Sequence, residues 1–316
     1  MALEDQESAY NRKYLAGYME SWPVWKKTRV RNLIKELGIG TMGTALDFGC
    51  GKGEFTSVLR DQLLGWTIAG TDVSTEAIKM ASFNGGNGHF FPLTEESLVG
   101  KSYDFIFSHH VLEHVEDLKY SVRQLSSICN LGGVMLHILP SGDTGCIENL
   151  ICQWRNDGFD QNRGNRMFFE HPSHERRLTS LELIQEFRSF NMHVQRQYFS
   201  NIFFGSLEWI TASNLKLILI LTSIKGLRKK KYIYPLIFLR IIFVFIYTLR
   251  VPVIKLRYYY NRFRKRLRNK VIFFLCLIAY PFSFIVDQTV KLLMKLEFLF
   301  FKQKSGSEMY LIFKKI

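Results

Sequence analysis

The chain has 316 residues, 42 Lys/Arg against 28 Asp/Glu and a net charge of +14, room for one large domain or two small ones. Its five cysteines form no C-x-x-C pair, which excludes a zinc ribbon or a thioredoxin motif, and their odd, patternless count fits a reducing compartment. The charge is unevenly spread: Ser213 to Ser305 carries 20 Lys/Arg and 2 Asp/Glu, so the remainder of the chain is mildly acidic.

The first residues, Met1 to Glu7, are acidic rather than apolar, so no secretory signal is expected and the folded part is expected in the cytosol. Residues 1–40 read as helical. Tyr10, Tyr14, Tyr18, Trp22 and Trp25 recur at spacings of three or four and make one aromatic face. That face packs on a core or forms a lid. A buried strand is expected over 44–48, ending in Asp47-Phe48-Gly49-Cys50-Gly51-Lys52-Gly53, and a helix over Glu54 to Leu64. A strand, a glycine turn and a helix start leave bare backbone N–H groups around a concave patch, suited to an anionic or carboxylate-bearing cofactor. The dinucleotide fingerprint fails because Glu54 stands where its third glycine belongs, and an acid there repels a pyrophosphate. A P-loop fails at the same place, since Lys52 is followed by Gly53 and Glu54.

Further strands are expected over 67–72, 89–91, 103–108, 133–139 and 191–200. Helices are expected from Val73 to Ala81, with Ser74 as cap, and over 117–129 and 180–190. Gly85 to Gly88 and Gly132-Gly133 read as turns. Strands alternating with helices predict an α/β fold with a doubly wound, Rossmann-like parallel sheet, whose ligands sit beyond the strands' carboxyl ends. Gly49, Cys50, Gly51, Gly53, Asp72, Ser108 and His109 all fall there. The polar stretch 141–178 is too long for an idle connection and contains His171 and His174, which contact a substrate or cap the loop.

The pattern Asp47-x-Gly49-x-Gly51-x-Gly53 resembles the first motif of class I S-adenosylmethionine-dependent methyltransferases. Strand 67–72, ending in Asp72-Val73, resembles their second. Phe105 to Val115, with Ser108, His109, His110, Glu113 and His114, resembles the fourth-strand motif of the branch containing ubiquinone and cell-surface-sugar methylases. The resemblance covers about residues 10–200 and the last ten. It implies S-adenosyl-L-methionine as cofactor, with the glycines at its methionine end, Asp47 on its amino group, Asp72 on the ribose and Val73 against the adenine. His109 is the candidate base, and Glu113-His114 is expected to tie strand to helix. No metal site is expected. The family closes a sheet of about seven strands with an antiparallel one, here 308–314. The expected plan is a helical lid (1–40), a methyltransferase core (41–203), an α-helical insertion (204–305) and the final strand (306–316).

The insertion holds two apolar runs, Tyr232 to Leu249 and Val271 to Val286, each shorter than the ~20 residues of a bilayer span. Between them Arg250 to Lys270 carries nine Lys/Arg and no acid. If both runs spanned, this basic loop would lie outside, against the positive-inside tendency. Helices lying in the membrane interface, with Lys291, Lys295 and Lys302 on anionic headgroups, avoid the conflict. The rivals are a nucleic-acid surface at Tyr258 to Arg266 and a helical homo-oligomerisation domain. The expectation is a cytoplasmic-face, membrane-associated enzyme acting on a lipid or lipid-linked acceptor. A polyprenyl-linked saccharide of polysaccharide biosynthesis is favoured over a polyprenyl quinone precursor, with O-methylation the expected chemistry. An inert membrane scaffold is the alternative of another class.

Overall fold

The computed structural model describes residues 3–17, 21–84, 88–262, 267–302 and 305–316. Tyr18 of the aromatic face, Gly85 to Asn87 of the expected turn and 263–266 of the basic loop lie outside the described residues. The chain divides into two compact units. The first comprises Met1–Pro140, Ser180–Gln197 and Tyr310–Ile316; the second comprises Ser141–Thr179 and Tyr198–Met309. The polar stretch after residue 140 therefore groups with the insertion, not with the segment it follows.

The first unit opens with α1 (Leu3–Leu15) and α2 (Val24–Leu37). The second of these stops at Gly38, whose φ of 61° is the left-handed conformation that ends helices. The Rossmann-like alternation follows: β1 (Gly43–Phe48), α3 (Glu54–Gln62), β2 (Trp66–Asp72), α4 (Thr75–Asn84), β3 (His89–Pro92), β4 (Tyr103–His109), α5 (Leu118–Ile128) and β5 (Cys129–Pro140). Ser74 caps α4, its hydroxyl accepting from Ala77 N at 3.1 Å, and Asp117 caps α5 through Tyr120 N at 2.8 Å.

Beyond the second unit's α6 (Ile147–Gln153), β6 (Phe159–Asp160) and β7 (Arg166–Met167) come α7 (Ser180–Arg188) and β8 (Met192–Ser200). The insertion then supplies α8 (Phe204–Ser213), α9 (Leu215–Leu221), α10 (Ile233–Arg262) and α11 (Leu267–Phe301) before β9 (Glu308–Lys315). The seven-stranded sheet runs β3-β2-β1-β4-β5-β9-β8, with β9 antiparallel. The first five strands pair in parallel and read as near-continuous apolar runs, as expected where both faces are covered. Arg29 of α2 donates to Tyr310 Oη of β9 at 2.9 Å in the interior.

Gly132-Gly133 does not precede β5 but lies within it. Cys129 stands opposite Tyr103 and Val134 opposite Phe105, so the extra residues form a bulge. A Cβ on Gly133 would meet Asn130 O at 2.7 Å, which explains the glycine. The insertion also differs from its expected form. Its apolar runs do not stop where the basic residues begin, because Lys and Arg are good helix formers. The result is helices of 30 and 35 residues, with segments 230–256 and 270–301 long and apolar enough to cross a membrane by length and composition alone.

The second unit has its own core of Ile147, Ile151, Leu207, Ile210, Ile218, Leu221, Leu236 and Phe243. Two buried polar devices tie its helices. Arg250 of α10 donates to Asp287 Oδ1 of α11 (2.6 and 2.9 Å) and to Thr211 Oγ1 of α8 (2.6 Å), while Lys291 pairs with Asp287 Oδ2 at 2.7 Å. The Glu297 carboxylate of α11 accepts from the backbone N–H groups of Ile202, Phe203, Phe204 and Gly205, capping α8 from a distant helix. The two ends of the insertion meet, with Ser307 N on Asn201 O at 3.2 Å and Ser200 Oγ on Glu308 Oε2 at 2.9 Å.

Candidate active site

The turn after β1 is built from its glycines. Gly49, Gly51 and Gly53 have φ of 74°, 53° and 80°, which residues with a Cβ adopt only at a cost. A Cβ on Gly49 would stand 2.3 Å from Val111 Cγ2, and one on Gly51 would stand 2.8 Å from Tyr14 Oη. Gly49 N and Cys50 N both donate to Thr71 O of β2, at 2.8 and 2.9 Å, which fastens the turn to the neighbouring strand. Gly51 N and Ser74 N in turn donate to Oδ2 and Oδ1 of Asp72, each at 2.9 Å.

Asp47 and Asp72 are both buried. Burial raises the Asp47 carboxyl to about 7, against the bond from Thr56 Oγ1 (2.6 Å) and with the charge of Asp72 adding to the rise. Burial also raises Asp72, opposed by its two backbone donors. The Cys50 thiol is pushed up by burial and by both acids, so it stays protonated and unreactive. Among the described residues no Lys, Arg or His pairs with either carboxylate. The pair therefore favours a ligand that brings positive charge and hydroxyl or ammonium donors. Val73, half-buried, follows at the wall.

The N-terminal helix lies against this turn. Asn11 Oδ1 accepts from Ser74 Oγ (2.7 Å) and Glu76 N (3.1 Å), and Tyr14 stands over Gly51. Trp22 N donates to Glu54 Oε2 at 3.0 Å, and Lys27 pairs with the same carboxylate.

At the end of β4 the strand alternation puts Phe107 and His109 on one face and Ser108 on the other. His109, 8 % exposed, is boxed by the Trp22 ring edge at 4.4 Å and Phe55 at 4.3 Å between centroids. His110 takes φ 56° and turns the chain out of the strand, with its Nδ1 3.0 Å from Glu113 Oε1. Buried Glu113 thus joins strand end to the following turn. Ser108, expected at the cofactor, turns its side chain to the other face of the sheet. Its hydroxyl is 2.7 Å from His137 Nδ1 in β5, and both side chains are buried. Burial lowers the His137 ring to about 3, so it is neutral, stacked on Phe187.

His171 and His174 belong to the second unit. His171 is exposed and bonds Ser173 through Nδ1 at 2.7 Å, a loop cap. His174 Nδ1 lies 3.6 Å from Glu170 Oε2, while Oε1 of the same carboxylate pairs with Arg177. Trp22 and Tyr14 were visible only as members of an aromatic stripe. Asn11 and Phe55 carried no signal of their own.

A family described as a methyltransferase domain matches residues 24–197, more than half of the chain. The chain belongs to the class I S-adenosylmethionine-dependent methyltransferases. Over 125 residues this methyltransferase is 23% identical to the candidate methyltransferase 235L of Invertebrate iridescent virus 6; the match is 38% of the chain and 47% of the viral protein, so the chain spans about half the length of that curated relative. It is similar in structure to YcgJ of Bacillus subtilis (19% identity, 54% of this chain and 71% of that one, TM-score 0.42). It is also similar to a candidate sarcosine dimethylglycine methyltransferase of Galdieria sulphuraria (11% identity, 91% and 86%, TM-score 0.49). The family's methyl donor, S-adenosyl-L-methionine, carries a sulfonium, an ammonium and a ribose diol. Cation and donors are what the buried, unneutralised Asp47 and Asp72 call for, so the site fits it.

Proposed function

We propose that this methyltransferase works on the cytoplasmic face of a membrane and methylates a lipid-linked acceptor, with O-methylation of a polyprenyl-linked saccharide as the favoured case. The observation that carries the membrane reading is the outer surface of the insertion. Tyr234, Phe238, Ile241 and Phe245 of α10 and Ile278, Phe282, Ile285 and Leu299 of α11 are each more than half exposed. Large apolar side chains exposed side by side in this way mark a surface that meets an apolar partner. It belongs to a stretch, 209–286, with 16 Lys/Arg and no acid. That combination suits anionic headgroups over a hydrocarbon layer.

Helices lying in the interface fit better than helices crossing it. Arg240 and Arg250 interrupt α10, and Asp287, Lys291, Lys295 and Glu297 interrupt α11. The opposite faces of both helices are packed on the unit's own core, with Leu236, Phe243 and Arg250 inward at spacings of seven. The saccharide preference rests on the polar stretch 141–178, in which Arg, Asn and Gln abound.

The bound cofactor supplies an electrophilic methyl group on sulfur. In this reading the backbone of Gly49, Gly51 and Gly53 receives its methionine end, the Asp47 carboxylate its ammonium and the Asp72 carboxylate its ribose hydroxyls. Val73 covers the adenine. His109 takes the proton of an acceptor hydroxyl, and the Trp22–Phe55 box excludes water from it. Positioning carries much of the rate, since displacement needs only alignment of the acceptor.

The test is calorimetric binding of S-adenosylmethionine to wild type and Asp72→Ala, with sedimentation on anionic and neutral liposomes. Binding lost in the variant, with selective pelleting on anionic liposomes, supports the reading. A protein that binds the cofactor but ignores liposomes refutes the membrane part. Affinity for nucleic acid that falls steeply with salt would replace the lipid partner.

A further inference from the structure

The second unit contains a groove of about 590 Å³ beside α9, within the ~300–1,000 Å³ of small-molecule sites. Phe168, Leu215, Leu219 and Ile220 line it, with Lys216 and Ser223 as its polar members. α9, Leu-Lys-Leu-Ile-Leu-Ile-Leu, is apolar nearly all round. Ile218 and Leu221 fill the core, while Leu215, Leu219 and Ile220 remain 41, 44 and 40% exposed. A helix apolar on both sides needs an apolar partner on the outer one. Arg155 floors the groove but is already engaged, bidentate on Asp157, donating to Ser223 O and lying 4.1 Å over the Phe168 ring. The Lys216 ammonium, in contrast, is exposed and has no ion pair among the described residues. Lys225, Arg228, Lys229, Lys230 and Lys231 follow it with no acid between.

We infer that this groove seats a short length of an isoprenoid chain, with the chain's anionic phosphate head on Lys216. The apolar walls set the chain and the unpaired cation sets the head, a pairing that neither free phosphate nor an uncharged alcohol satisfies in full. The inference deepens the lipid-linked reading and rests on it, since it assigns where the lipid part of the acceptor is held.

The test uses the full chain and a geranyl phosphate carrying a photoreactive diazirine at its far end, with the matching geraniol analogue alongside. Crosslinked peptides are mapped. Label in wild type is expected on the peptides containing Phe168 and Leu215 to Ser223. Leu219→Asp, at a half-exposed position, is expected to reduce it about tenfold. Lys216→Glu is expected to reduce labelling by the phosphate several-fold and to leave labelling by the alcohol unchanged. Ser223→Phe, which fills the groove without charge, should abolish both and decides the matter should Leu219→Asp fail to fold. Label spread over α10 and α11, or unchanged by these variants, overturns the groove. Complete competition by equimolar inorganic phosphate overturns the chain and leaves a phosphate site. Competition by phosphatidylglycerol vesicles but not by a polyprenyl phosphate overturns the isoprenoid occupant and assigns the groove to a membrane headgroup lipid. Liposome sedimentation of the same samples reads the membrane proposal separately, because these variants leave the outer faces of α10 and α11 intact.

Discussion

Asp47→Asn tests the argument that the pocket is electrostatically incomplete without its cofactor. The folded chain holds a proton on Asp47 up to about pH 7, whereas the ordinary carboxyl value is 3.8. Between those values the folded state binds a proton that the unfolded state has released. Stability contributed by this group is therefore greatest at acid pH, falls as pH rises through the window and stays low above it. A shift of this size corresponds to about 4 kcal/mol, a ceiling reached only if the pocket stays dry. Asparagine keeps the shape and still accepts from Thr56 Oγ1, but has no charge to bury. Without cofactor, the variant should match wild type near pH 3, lead by about 1 kcal/mol at pH 4.5 and exceed it at pH 8 by up to about 4 kcal/mol, read from urea midpoints at each pH. The neutral His137 contributes with the opposite sign below pH 6.5 but is common to both proteins. With saturating S-adenosylmethionine the variant's advantage at pH 8 should shrink by about 1.4–2.7 kcal/mol, because it loses a charged bond worth about tenfold to a hundredfold in affinity. A stability difference that is flat from pH 4.5 to 8 would refute the reasoning, since it would mean that Asp47 titrates as an ordinary, compensated carboxyl.

Three further expectations follow from the same geometry. Gly49→Ala should impair cofactor binding and cost roughly 1–3 kcal/mol of stability, and pairing it with Val111→Ala should restore part of the loss, because the clash is with Val111 Cγ2; no restoration would shift the cause to the backbone conformation. His109→Gln should lower kcat by about a hundredfold or more while leaving cofactor affinity within a few-fold, and an unchanged kcat would remove its role as base. Arg250→Met removes the guanidinium shared by Glu208 and Asp287, leaving Asp287 only the half-exposed Lys291, and should cost about 3 kcal/mol; thermal unfolding should show partial recovery when Asp287→Leu is added.

What was legible in the sequence was what local chemistry decides. Alternating glycines mark a turn of positive φ wherever they occur, and Asp47 and Asp72 sit at strand ends because the strands themselves are short, apolar and bounded. The bulge at Gly132-Gly133 was not legible, since the same dipeptide serves equally as a turn before a strand. Nor was the fate of Ser108: strand alternation gives the face, but only the placement of β5 brings His137 to its hydroxyl. The helices of the insertion were underestimated because an apolar run ends at its first charge, whereas a helix does not. The capping of α8 by Glu297 joins residues more than ninety positions apart, beyond any local pattern.

The seat of β9 has a consequence for how the protein can be made. It is an interior strand, between β5 and β8, yet the ribosome delivers it only after the entire insertion. Until then the nascent sheet has an open slot with two unpaired edges, the geometry that invites misassembly. A fragment stopped at Ser200 should therefore be aggregation-prone. Because Asn201 and Ser307 already touch, a short glycine linker could join them in place of the insertion, but Ile147 and Ile151 would then lose the core they share with it and would need polar replacements.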